Sequence, residues 1–408
     1  MKFDNYPASH VHNAKAARHN EFSAPERQIL NLAAFQEAWD EITSWPNYEA
    51  TPLVPLPAMA RALDLKSVLQ KDEGKRFHLK SFKALGGAYA VLCLLQRHLR
   101  EKHGLDGVTS DQLHAGTHND LTRDIIVATA TDGNHGRSVA WGAQMFGCRC
   151  KIYLHEHVSQ VREQEIAKFG AEIVRIAGDY DASVRQCGAD AEVNGWQLVA
   201  DTSSGGGKPD VPKMVMQGYT VMVQEVLDQL TGGTLPTHVF VPGGVGGLAA
   251  SVAAHFSARL GADRPRIIAV EPTKADCIFR SIQAGEPTTI SVGDTFMACL
   301  SAGEVSPLAW PILERHLDDV LALPDEAAEQ AMRLLAAGMG GDPAIVAGES
   351  GAAAMAGLIA AARSEVLRNE LQLTERSSVV TIGSEGATDA ETFARVVGKP
   401  ATLIEAAA

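Results

Sequence analysis

Short apolar runs alternate along this chain with longer stretches in which apolar residues recur every three or four positions, the pattern of strands leading into amphipathic helices. The alternation is densest from Ile125 onward, where it predicts strands over 125–129, 151–154 and 172–176 with helices over 138–146, 161–169 and 182–193 between and after them. A further strand is expected over 197–200, and the theme then returns as helix 212–230, strand 238–241, helix 248–260, strand 266–270, helices 326–337 and 351–363, and strand 378–382. Apolar strands each followed by a helix predict a mainly parallel sheet covered on both faces. Upstream, a helical pattern from Leu32 stops at Trp45-Pro46, and Thr51-Pro52-Leu53-Val54-Pro55-Leu56-Pro57 is held extended by its prolines. Ala88, Val91, Leu92, Leu95 and Leu99 predict a helix over 84–103, which Gly104 closes. Residues 105–124 are rich in Asp, His, Thr and Gly, show no period, and read as a surface insertion.

At 408 residues the chain exceeds what one core fills, so two lobes are expected. A formal net charge of −13 excludes nucleic acid and anionic membrane surfaces as partners, since both reward clustered Lys and Arg. Any phosphate would therefore be held by backbone donors. The most apolar stretch, 351–362, is too short to span a bilayer, and no basic segment leads into an apolar run near Met1, so the expected location is the cytoplasm. Cys93, Cys148, Cys150, Cys187, Cys277 and Cys299 show no metal-ligand spacing and read as reduced thiols, with no metal expected. Cys277 with Cys299 is the one pair to check for a disulfide.

Candidate chemistry centres on Lys83, set among Phe82, Ala84 and Leu85 at a predicted helix start. Burial disfavours an ammonium and makes a lysine nucleophilic enough to condense with an aldehyde; the alternative is a lysine snorkelling from an amphipathic helix. Gly243, Gly244, Val245, Gly246 and Gly247 lie between a predicted strand and helix, where glycine lets N–H groups approach an anion, although tight turns also use glycine. No Lys-Ser/Thr follows them, which excludes a nucleoside-triphosphate P-loop. Ser384 follows the last strand, at the edge where α/β sheets bind ligands. Thr131-Asp132-Gly133-Asn134-His135-Gly136 forms another strand-to-helix loop, in which Asn134 and Asp132 read equally as turn residues.

These stretches, in this order, resemble the fold-type-II pyridoxal-phosphate enzymes, the group of serine and threonine dehydratases, cysteine synthase and the tryptophan synthase β subunit, over roughly residues 45–400. Within the group they are similar to the diaminopropionate ammonia-lyase family, through Ser81–Gly87, Thr131–Arg137, Ala200-Asp201-Thr202-Ser203, Met216-Gln217-Gly218-Tyr219, Glu271-Pro272 and Ala275-Asp276-Cys277. The resemblance implies a two-lobed α/β fold with mainly parallel twisted sheets: a large cofactor-binding domain of 1–89 and 206–408, and a small domain of 90–205. It implies pyridoxal 5′-phosphate joined to Lys83, Asn134 on the ring oxygen, the glycines 243–247 with Val245 on the phosphate, and Ser384 at the ring nitrogen. Thr131, Gly133 and His135 would hold the substrate carboxylate. Asp132 and Asp201 would meet the second ammonium of a diamino acid or carry protons, because a negative side chain near a carboxylate otherwise repels it. The implied reaction is α,β-elimination of D- or L-2,3-diaminopropionate to pyruvate and ammonia through aminoacrylate, with a homodimer expected. The rival readings are a serine or threonine dehydratase on the same fold and a non-catalytic pyridoxal-phosphate-binding protein. One departure is Ser204-Gly205-Gly206-Gly207-Lys208-Pro209, a glycine-rich run expected to be mobile and leaving the exact substrate open.

Overall fold

The computed structural model describes residues 3, 4, 6–131, 133–202, 210–231 and 233–406. Its strands are β1 Ser9–His12, β2 Leu53–Pro55, β3 Ser67–Asp72, β4 Ile126–Ala130, β5 Arg149–His155, β6 Glu172–Ile176, β7 Gln197–Leu198, β8 His238–Pro242, β9 Arg266–Pro272, β10 Asp319–Leu323 and β11 Ser378–Gly383. The chain forms two compact units, one of residues 1–31, 50–81 and 222–408, the other of 32–49 and 82–221.

The larger unit is built on a seven-stranded sheet in the order β1-β10-β9-β8-β11-β3-β2. Its five inner strands pair in parallel, while β1 and β2 close the edges antiparallel. Every residue of β8 to β11 is buried, which explains why β8, β9 and β11 read as apolar runs with no alternation. From β8 the chain winds outward through β9 to β10, yet β11 returns to the other side of β8. The carboxyl ends of β8 and β11 therefore lie side by side at the point where strand order reverses, the place where open α/β sheets bind ligands. The helix Ala353–Arg363 packs on this sheet so closely that a Cβ at Gly357 would lie 2.5 Å from Val270 Cγ2. Its small residues set that approach.

The smaller unit carries a four-stranded parallel sheet, β6-β5-β4-β7. Beside it, the helix Lys83–His103 is clamped by two others through glycines that are not turn residues. A Cβ on Gly142 of the helix Asn134–Phe146 would lie 2.7 Å from Ala88 Cα, and one on Gly87 2.5 Å from Ser138 Oγ. On the other side Gly218 comes within 2.5 Å of Leu85 O on the same test. Ser138 Oγ accepts the Ala88 N–H at 3.1 Å and donates to Ala84 O at 3.3 Å. Two glycines inside one helix weaken it by roughly 1 kcal/mol each, and here they admit neighbouring backbones that fix where the helix begins.

Three strands escape the sequence pattern. β1 is polar and its histidines bond outward, His10 Nε2 and His12 Nδ1 each contacting Asp319 Oδ1 at 2.9 and 3.1 Å. β3 ends in Gln70, Lys71 and Asp72, all buried, and reads as polar because its charges are met inside the protein. Lys71 Nζ donates to Glu225 Oε2 at 2.6 Å. The third, β10, begins at Asp319, a buried carboxylate gripped by Arg266 and those histidines. Residues 105–124 are not an irregular insertion: they hold the helices Ser110–His114 and Asn119–Thr122, the first with a Thr109/Gln112 capping box and Leu113 buried beneath it. Helices of one turn are too short to show a period.

All six cysteines are free, so Cys277 and Cys299 are not bridged. Among the described residues no helix is long and apolar enough to cross a membrane, and no cluster of His, Cys, Asp and Glu forms a metal site.

Candidate active site

Lys83 opens its helix, and the backbone leading into it is strained. Phe77, His78 and Lys80 all have positive φ, 47°, 59° and 57°, at roughly 1–2 kcal/mol for each non-glycine residue held there. Interactions within the larger unit hold this run: Gly386 N–H donates to Lys80 O at 2.9 Å and Ser81 bridges Glu385. Strain of this kind is retained where surrounding structure over-determines it, and functional sites are such places.

Lys83 Nζ lies 2.6 Å from Asp201 Oδ2, with about 20 % of the lysine side chain and 18 % of the aspartate side chain exposed. The same ammonium sits 5.5 Å from the Phe82 ring centroid and 5.9 Å from that of Tyr219, and the two rings meet edge to face at 4.6 Å. Lys83 is therefore a cation with its counterion in an aromatic corner, not a bare ammonium in an apolar pocket. Burial by itself would raise the Asp201 carboxyl, but the Lys83 ammonium outweighs it and holds the group well below the usual carboxylate range. Burial pushes the Tyr219 phenol up to about 12, against the lowering effect of Lys83 beside it. Tyr219 and Phe82 are site residues that the sequence reading did not single out; the recurrence of both inside the quoted motifs was the available signal.

The loop after β4 is organised by Thr131, whose hydroxyl accepts the N–H groups of Gly133 and Gly136, each at 3.0 Å. Those bonds turn the chain into the helix Asn134–Phe146, and Gly136 is required because a Cβ there would lie 2.2 Å from Thr131 Cγ2. His135 Nε2 donates to Val199 O at 2.8 Å, leaving Nδ1 buried and unpaired among the described residues. Burial lowers the His135 pKa, so the ring is neutral. Asn134 Oδ1 accepts from Arg137 at 3.1 Å. Thus Lys83, Asp201, His135 and Tyr219 are neighbours in the smaller unit, with Thr131 and Gly133 shaping the loop that precedes His135. Asp132 and the run 203–209 lie outside the described residues.

In the larger unit the turn Gly243–Gly246 joins β8 to the helix Gly247–Leu260. Gly244 and Gly246 have φ of +62° and +93°, and a Cβ at Gly246 would lie 2.7 Å from Leu313 Cδ1. Neither the Gly244 nor the Val245 N–H donates to any described residue, and no side chain caps the helix start. Backbone donors, a helix N-terminus and no charged side chain among residues 243–247 make a cradle that suits a phosphate. Ser384, buried, follows β11 beside it, and Glu385 is fixed by Ser350 N–H at 3.3 Å and Thr388 Oγ1 at 3.2 Å. Beneath the turn lies Glu271 on β9, fully buried, its two oxygens accepting the Ile278 and Phe279 N–H groups at 3.0 and 2.8 Å. Burial pushes this carboxyl up to about 8, against the lowering effect of those N–H groups. The sequence motif contained Glu271 without giving it a role.

A lysine with a counterion and a glycine cradle at a sheet switch point are what an aldehyde bearing a phosphate requires, and residues 45–385 match the family described as pyridoxal-phosphate dependent enzymes. The chain belongs to that family. It is 38% identical over 357 residues to the diaminopropionate ammonia-lyase of Escherichia coli K12, covering 86% of this chain and 87% of that one. It superposes with a TM-score of 0.86, at 33% identity over 96% of this chain and 97% of the other, on the crystal structure of Escherichia coli diaminopropionate ammonia lyase in complex with D-serine. The biosynthetic threonine dehydratase of the same strain is more distant, 26% identical over 77% of this chain and 53% of its own length. These relatives share the fold-type-II arrangement expected from the motifs.

Proposed function

We propose that this chain catalyses the α,β-elimination of 2,3-diaminopropionate, which with one water gives pyruvate and two ammonia molecules. The observation that carries the reading is the Lys83–Asp201 pair at 2.6 Å, a lysine ammonium held beside an ionised acid. When bound, pyridoxal phosphate supplies the electron sink that makes the α proton removable. The chain's own residues do the rest. Lys83 would hold the aldehyde, the N–H groups of Gly243, Gly244, Val245, Gly246 and Gly247 would take the phosphate, and Asn134 and Ser384 would hold the ring, Ser384 as a neutral hydroxyl. Thr131, Gly133 and His135 orient the substrate carboxylate, His135 being neutral and so free of competing charge. Asp201 keeps Lys83 in place and holds a proton in exchange with it at Oδ2, while the departing β-amine leaves protonated. Asp132 serves as the second acid and attracts the substrate's extra ammonium. Lys83 and Asp132 on opposite faces would let both enantiomers react.

The serine or threonine dehydratase reading is the weaker one, because the relatives with those activities are distant and lack coverage. Release of pyruvate by the purified protein from D- and L-diaminopropionate, compared with serine and threonine, tests the choice; faster turnover of serine or threonine refutes it. Asp132→Asn should damage one enantiomer more than the other, and an equal loss on both rules out the two-face assignment. We further place the protein as a homodimer in the cytoplasm, a reading carried by the family resemblance, and a monomeric mass in light scattering would overturn the dimer.

A further inference from the structure

Among the described residues two ionisable side chains touch the anion cradle, an acid and a thiol. A Cβ on Gly243 would lie 2.6 Å from Glu271 Cγ and 3.3 Å from its Cδ, so the carboxyl stem rests against the backbone of the turn. The Cys277 thiol, 3.5 Å from Gly244 O and 3.8 Å from Glu271 Oε1, joins the same group to the turn. Glu271 has neutral partners: two N–H groups at the start of the helix Cys277–Ala284 and that thiol. Among the described residues no cation forms a salt bridge with it. The charged and titratable groups that face it are Asp276, itself paired with Arg280 at 2.9 Å, and Cys277, whose thiol burial keeps protonated. The turn adds none, and its cross-strand partner on β10 is Ala322.

We propose that Glu271 is the proton-holding member of the phosphate site: the turn accepts a phosphate dianion together with one proton from solvent, which resides on the Glu271 carboxyl. The proposal rests on the reading of residues 243–247 as that site. A carboxylate and a phosphate separated by one layer of backbone in a buried setting repel each other strongly, and protonation of the acid removes the repulsion. Burial already brings the empty-site carboxyl to about 8, so the exchange falls in an accessible range. The sign follows from linkage. Below that pH Glu271 is neutral and phosphate binds at full strength; above it binding must draw a proton, and affinity falls roughly tenfold per pH unit until the raised bound-state value is passed.

The test uses protein freed of cofactor and titrated with pyridoxine 5′-phosphate, which lacks the aldehyde and so cannot condense with Lys83. Its phosphate, with a second pKa of about 6, is already a dianion above pH 8. Calorimetry near pH 8.5 in buffers of different ionisation enthalpy counts protons. The wild type should take up roughly half to one proton and lose at least about tenfold in affinity between pH 7.5 and 9.5. Glu271→Gln should take up about half a proton less than the wild type, leaving only what the probe's own ring takes up, with a shallower fall in affinity over that range. Equal uptake in both proteins overturns the proposal. Should the variant fail to fold, the wild type decides alone, since pH-independent affinity or no proton uptake overturns the proposal equally. Absence of saturable binding by wild type at any pH instead overturns the phosphate reading of the turn, a failure distinct from binding without protons.

Discussion

Replacing Asp201 by Asn keeps the side-chain shape and removes the charge, so the 2.6 Å contact with Lys83 Nζ loses its ionic partner. A hydrogen bond with a charged partner contributes about 1.5–3 kcal/mol. Both side chains are about four-fifths covered, so the solvent screening that weakens surface pairs takes away little. At about 1.36 kcal/mol per factor of ten, loss of placement alone is worth roughly 10- to 100-fold, and loss of a proton-transfer group roughly 10²- to 10⁴-fold. We therefore expect kcat/KM for pyruvate release to fall at least about 100-fold while the bound cofactor's absorbance persists. The pH dependence carries a sign. Asp201 is depressed in the fold, so its pairing is fully present above the ordinary carboxylate value of about 3.9 and is lost only as pH falls below it. The ratio of wild-type to variant rate should thus stay flat between pH 5 and 8. Activity within about threefold of wild type at equal cofactor content, or a ratio that changes tenfold across that range, refutes the assignment of Asp201.

Three further outcomes follow from other parts of the molecule. Gly246→Ala forces a side chain into φ +93° and against Leu313, so phosphate-dependent cofactor retention should weaken at least about tenfold by equilibrium dialysis; unchanged retention would show that the turn does not need its glycine. Glu225→Gln removes the carboxylate that receives Lys71 Nζ and the Arg76 guanidinium at 2.6–2.7 Å in a fully buried network, leaving a net positive charge inside. Urea unfolding should show a loss of about 3–5 kcal/mol, and a loss under 1 kcal/mol contradicts the network. His255 is lowered to about 3 by burial, so the fold keeps it neutral while the unfolded chain gains a proton below about 6.5. Its effect is lost stability on acidification, roughly 2 kcal/mol between pH 6.5 and 5, which His255→Asn should abolish; parallel stability profiles for the two proteins would exclude it.

The apolar rhythm was enough to locate the parallel strands β4, β5, β6, β8, β9 and β11 and the helix that Lys83 begins, most plainly at β8, β9 and β11, because strands buried on both faces leave a run of aliphatic residues. It also marked Lys83 and the glycine turn, whose chemistry depends on residue type and local order. It missed β1, β3 and β10, where polar side chains such as His10, Lys71 and Asp319 find partners 309, 154 and 53 residues away. The glycines of the lysine motif fell inside a predicted helix with no role read from them, and only packing reveals them as sites of close approach to Gly218 and Ser138. That Lys83 meets Asp201, 118 residues later, and that Glu271 lies beneath Gly243, are likewise products of the fold. Charge state is decided by burial and neighbours, and a linear chain encodes neither until strand order brings distant side chains together.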